Sequence, residues 1–169
     1  MTASRIDAKR IASVAMLSAM ALAVQYFEAM LPPIVPGVPV RLGLANIFTL
    51  FALLRGKRLD GGLVALLRCL LYPLVTGNVS GLGYAAAGTL LSYLAMLLLL
   101  PLYQRDRVGA VGVSVAGAFS FNCGQLLVGL AVVGQAMAAY FPWMGLLSIP
   151  AGICTGLLAE LLKRRVPVR

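Results

Sequence analysis

Histidine is absent from this 169-residue chain, and acidic side chains are scarce, with five Asp and Glu against fourteen Lys and Arg. The missing histidine removes the commonest transition-metal ligand. The three cysteines, Cys69, Cys123 and Cys154, stand singly inside apolar stretches, without the paired spacing of a zinc or redox motif. No glycine-rich loop is followed by Lys and Ser or Thr, so nothing here cradles the phosphates of a nucleotide for hydrolysis. Charge of either sign is rare: 11% of residues are charged and 61% are hydrophobic, where a soluble domain has about a quarter charged. That balance excludes an ordinary soluble fold. A net charge of +9 raises nucleic acid as a partner. The basic residues are not gathered on one face with stacking aromatics, which argues against it.

The positive charges are placed with a rhythm. All but Arg41 and Arg68 fall in four clusters: Arg5, Lys9 and Arg10; Arg55, Lys57 and Arg58; Arg105 and Arg107; and Lys163, Arg164, Arg165 and Arg169. The clusters alternate with six apolar stretches, at about 11–31, 42–54, 61–75, 82–102, 108–133 and 137–162. By the positive-inside rule every cluster lies in the cytoplasm. The reading is a single all-α domain, a polytopic bundle of six transmembrane helices with both termini cytoplasmic, in a bacterial-type inner membrane. The basic clusters then serve as topology signals that touch the lipid surface. The first stretch is too long for a removable signal peptide and lacks a small-residue cleavage site, so it stays as the first helix.

Between the first two stretches, the run from Pro32 to Val40 holds four prolines and reads as a stiff outer loop, because proline lacks a donor and biases its predecessor toward extended geometry. The second and third stretches are short for spanning elements, which is tolerated best when protein surrounds them. Asp60 reads as a helix N-cap. Gly109, Gly112, Gly117, Gly124 and Gly129 on the fifth stretch allow close helix approach. Pro150, with Gly152 and Gly156 after it, points to a kink or local unwinding in the sixth. The two halves show no clear inverted repeat, which weakens the case for an ordinary secondary transporter.

Threading six crossings brings Glu28, Arg41, Asn46, Arg68, Asn122 and Gln125 to the outer half or middle of the bilayer. An arginine at mid-depth costs about 2.5–3.5 kcal/mol on insertion scales, so Arg68 must be buried and paired, either for function or to lock helices through a carbonyl or Glu28. Arg41, at a loop-to-helix junction, either joins a site or snorkels to the interface. Glu28 pairs with Arg41 or Arg68, or recognises a polar substrate. Asn122 and Gln125 share a helix face and offer donors and acceptors to a ligand or to a neighbouring helix. Tyr84, Tyr140 and Trp143 read as an aromatic belt, or as a lid on a ring-shaped substrate. Ala15, Ala19 and Ala23, spaced by four with Ala12 near them, make a flat stripe for internal packing or for docking another subunit.

Three segments, Arg41-Leu42-Gly43-Leu44-Ala45-Asn46-Ile47, Leu66-Leu67-Arg68 and Phe121-Asn122-Cys123-Gly124-Gln125-Leu126, resemble the Gx transporter family, often labelled heptaprenyl diphosphate synthase component I. The resemblance covers about residues 10–162. Phe121 departs from the histidine found before the Asn in many relatives. The family is similar to the S components of energy-coupling factor importers, six-helix proteins that capture vitamins or related micronutrients from outside. The resemblance implies an outward-facing pocket closed by the loop after helix one. It also implies docking through helix-one alanines, here Ala15, Ala19 and Ala23, on a transmembrane coupling subunit driven by cytoplasmic ATPases. No cofactor is implied. The synthase label demands clustered aspartates to hold magnesium against diphosphate, whereas Asp7, Asp60 and Asp106 stand far apart. The expectation is a non-enzymatic capture subunit for a small anionic or amphipathic molecule, with Arg68, Asn122, Gln125, Asn46, Arg41 and Glu28 as its substrate-binding residues. The alternatives are a non-catalytic scaffold for isoprenoid or quinone metabolism and an autonomous secondary carrier with Glu28 as the proton-linked group.

Overall fold

A computed structural model describes residues 8–30, 41–55, 57–77, 79 and 81–165. The chain is all α: α1 (Ala8–Ala29), α2 (Asn46–Leu54), α3 (Arg58–Thr76), α4 (Gly81–Gln104), α5 (Ala110–Val132) and, after a 3-10 segment at Gln135–Tyr140, α6 (Phe141–Arg165). The proline-rich run read as a stiff outer loop lies outside the described residues.

Five of these elements are long and apolar enough to cross a membrane: α1, α3, α4, α5, and the 3-10 segment taken with α6. The second is not. At about 1.5 Å per residue, the nine residues of α2 rise roughly 13 Å, less than half of a ~30 Å hydrocarbon core. The expected helix over 42–54 begins four residues late because Arg41–Gly43 are irregular and Leu44–Ala45 form a turn. Every residue of α2 is buried, so this helix is a plug inside the bundle. Such enclosure explains a sequence that is apolar all round, with no face left for a polar stripe.

The core forms where α2 meets its neighbours. Leu50, Leu53, Val64, Met96, Leu100 and Val113 are fully enclosed in one cluster. A smaller cluster joins Tyr84, Met137 and Met144, so Tyr84 is buried, while Tyr140 and Trp143 keep the exposure of belt residues.

Glycines set the closest approaches. A Cβ on Gly124 would lie 2.5 Å from the Ala87 carbonyl oxygen and 2.7 Å from Gly88 Cα, so α4 and α5 touch backbone to backbone there. Gly152 and Gly156 do the same for α6 against α5, at Val115 and Val111. These two residues serve packing, and α6 runs unbroken as a helix through Pro150, without the local unwinding expected there.

Described members of the basic clusters meet at one end of the bundle. Lys9, Arg55 and Leu162 line a common groove, Arg10 Nε bonds Asp60 Oδ1 at 2.6 Å, and Lys163 Nζ donates to Tyr103 Oη at 3.0 Å. Asp60 therefore ties α3 to α1 and is not the N-cap, a position held by Lys57 without a side-chain cap.

Candidate functional site

The non-helical entry into α2 creates the site. Residues 41–44 run through the protein interior, where each backbone N–H and C=O needs a partner and water is scarce. Two helices supply those partners from side chains. On α5, Gln125 engages both polar groups of Arg41: Oε1 accepts the Arg41 N–H at 2.8 Å and Nε2 donates to the Arg41 carbonyl at 2.7 Å. On α1, the Glu28 carboxylate accepts the Gly43 N–H at 2.6 Å and the Leu44 N–H at 3.2 Å. A negative charge at that point also complements the positive end of the α2 dipole. The chain then turns through Gly43 at φ +80°, a left-handed conformation suited to glycine. A Cβ there would also strike the Phe121 ring at 2.9 Å. The first amides of α2 are closed by short-range bonds from Asn46 to Gly43, Ile47 to Leu44 and Phe48 to Ala45.

Around this entry lie all six residues singled out from the sequence, each of them buried. Arg68, on α3, is 2% exposed; its Nη2 donates to Asn46 Oδ1 and, at 3.1 Å, to Thr89 Oγ1 on α4. Arg41 does not snorkel. Its guanidinium stacks 3.8 Å above the centroid of the Tyr72 ring, a cation–π contact strengthened by burial. Glu28 forms no direct ion pair with either arginine among the described residues; it holds backbone amides, and both arginines lie close enough to feel its charge. Asn122 Nδ2 donates to the Met144 carbonyl at 2.8 Å, and its Oδ1 accepts Gln125 Nε2 at 3.2 Å. Asn122 and Gln125 therefore join α5 to α6 and to the α2 entry.

Two properties remain after these bonds are assigned. Arg41 and Arg68 against Glu28 leave one positive charge in excess. In addition, Arg41 Nη1, Asn46 Nδ2 and Arg68 Nε are buried donors without a hydrogen-bond partner among the described residues. Buried donors are almost always satisfied in folded proteins, and an uncompensated buried charge is costlier still. The unmet atoms on Arg41, Asn46 and Arg68 are donors, which matches an acceptor-rich anion.

The chain belongs to the heptaprenyl diphosphate synthase component I family, also known as the Gx transporter family. The family model matches residues 17–162, so it takes in every residue of this site. No curated protein and no solved structure matches.

Sequence reasoning missed Thr89 and Tyr72. Tyr72 sits one helical turn beyond Arg68, so the i, i+4 spacing carried the signal. Thr89 gave none, because its role depends on how α4 lies against α3. Gln25 was also missed; it precedes Glu28 by one turn on the same buried face of α1, its Oε1 without a partner among the described residues. Ala15, Ala19 and Ala23 lie exposed along α1, away from this polar centre.

Proposed function

We propose that the protein is a membrane-embedded substrate-capture subunit of the S-component type, binding a small anionic or amphipathic metabolite at the entry to α2. The carrying observation is the excess buried positive charge beside three donors, on Arg41, Asn46 and Arg68, that find no partner among the described residues. An oxyanion supplies what these groups lack: negative charge and acceptor oxygens. In this reading Arg68 and Arg41 bind the anion, Asn46 orients it, and Gln125, Asn122 and Glu28 act as positioning residues that hold residues 41–44 in place.

The topology proposed with it has six crossings. The chain covers the second partly as non-helical backbone before α2, and the basic end of the bundle faces the cytoplasm of a bacterial-type inner membrane. The exposed alanine stripe of α1 is the docking face for a transmembrane coupling subunit, with cytoplasmic ATPases supplying energy. The polypeptide itself catalyses nothing: Asp60 is engaged by Arg10, and neither Asp7 nor Asp106 is near it in sequence to complete a magnesium diphosphate site.

A scaffold for isoprenoid enzymes is the second reading, and the observation in its favour is that Gln125 and Asn122 use their amides within the protein. The two readings part on one experiment. Small molecules released from the gently purified protein are compared by mass spectrometry between wild type, Arg68→Ala and Arg68→Lys, with thermal unfolding as a check on folding. Capture predicts an anionic compound retained by wild type, lost from Arg68→Ala and weakened in Arg68→Lys. Its equal retention by a folded Arg68→Ala variant would refute the assignment.

A further inference from the structure

The basic end of the bundle carries a second feature, unrelated to the polar centre. α1 packs on α3 and α2 but does not meet α6, and the gap is a groove of about 470 Å³. Its walls are apolar: Met16, Leu17 and Met20 from α1, Phe48 and Phe51 from α2, and Leu162 from α6. At its basic end stand Lys9 and Arg55. Met16 and Met20 are 65% and 40% exposed, so the groove opens sideways to whatever surrounds the helices.

We propose that this groove binds one anionic phospholipid, with an acyl chain along Met20 and Phe48 and the phosphate beside Lys9 and Arg55. Two features choose this occupant. The α1 wall from Lys9 to Met20 rises about 16 Å at 1.5 Å per residue, which matches a single leaflet, half of a ~30 Å hydrocarbon core. Charge follows the same axis as in a lipid, cationic at headgroup level and apolar below it. Headgroup attraction adds to burial of the chain, since each Lys or Arg near an anionic surface favours the bound lipid about fivefold, or roughly thirtyfold for two.

Native mass spectrometry of the full chain in detergent, with phosphatidylglycerol and phosphatidylcholine added in equal amounts, tests this. Wild type is expected to retain one phosphatidylglycerol with at least about tenfold preference. The preference should disappear in Lys9→Gln/Arg55→Gln. It should persist in Lys163→Gln/Arg164→Gln, which removes equal charge elsewhere on the same end. Met20→Trp, which fills the groove and keeps both cations, should lower retention of the lipid as well. No preference in wild type, or an equal loss in both double variants, would overturn the proposal by reducing it to general surface charge. Unaltered binding by Met20→Trp would place the lipid outside the groove and overturn it too. Thermal unfolding of each variant separates loss of lipid from loss of fold.

Discussion

Gln125 and Arg41, 84 residues apart in sequence, pair as one strand pairs with another: a side-chain amide on α5 takes the N–H and the C=O of a single buried residue at 2.8 and 2.7 Å. The pairing lets non-helical backbone exist inside a helical membrane protein, because it replaces the water that backbone would otherwise require.

Replacing Gln125 by Leu keeps the volume and removes both bonds. It leaves two buried backbone groups unmet, at about 1–3 kcal/mol each. A loss of roughly 2–5 kcal/mol in unfolding free energy is expected, together with faster proteolysis near residue 41. Gln125→Glu should fall between the two, since a carboxylate still accepts from the Arg41 N–H but no longer donates to its carbonyl. Denaturant titration in detergent, combined with limited proteolysis, reads both outcomes.

The backbone approach of α4 to α5 gives a second expectation. Gly124→Ala drives a Cβ to 2.5 Å from the Ala87 carbonyl oxygen, and backbone cannot retreat as a flexible side chain does. Overpacking of this kind costs about 1–3 kcal/mol. Gly109→Ala is the control: nothing lies within 4 Å of its Cβ, its φ of −74° is ordinary, and the change should stay within about 0.5 kcal/mol. Thermal unfolding of the two single variants provides the comparison, and equal shifts would contradict it.

The tie between α1 and α3 is also measurable. Arg10 and Asp60 meet at 2.6 Å with Arg10 half exposed and Asp60 nearly enclosed. Solvent screening of the arginine limits the pair to about 0.5–1 kcal/mol. A double-mutant cycle with Arg10→Ala and Asp60→Ala should return a coupling of that size. No coupling would mean that Asp60 is stabilised by the start of α3 alone.

Much of this architecture was legible before any coordinates. The alternation of basic clusters with apolar stretches foretold an all-α chain with long apolar helices, because both features follow from the bilayer and act locally along the chain. Arg68, Glu28, Arg41, Asn46, Asn122 and Gln125 were identified for the same reason: a polar group in an apolar run must answer to something. What each answers to was not legible. Gln125 was weighed between ligand and helix, yet its partner is the backbone of residue 41, a contact that exists only because α2 starts late. Asp60 at a helix start looked like a cap, and the opposing Arg10 arrives from a helix fifty residues earlier. Hydropathy likewise reported 42–54 as another span, since a segment enclosed by protein and one immersed in lipid are equally apolar.

That enclosure separates α2 from the membrane mechanically. A bilayer that thickens or thins acts on helices that touch lipid, and these respond by tilting. α2 is enclosed and meets at most the single chain proposed for the groove beside Phe48, so its depth is fixed by its neighbours and by the two side chains that grip its entry. The polar centre therefore keeps its internal geometry only as far as α1, α3, α4 and α5 tilt together. Lipid composition becomes a lever on the spacing between Arg68 and Asn46 without any lipid reaching either residue.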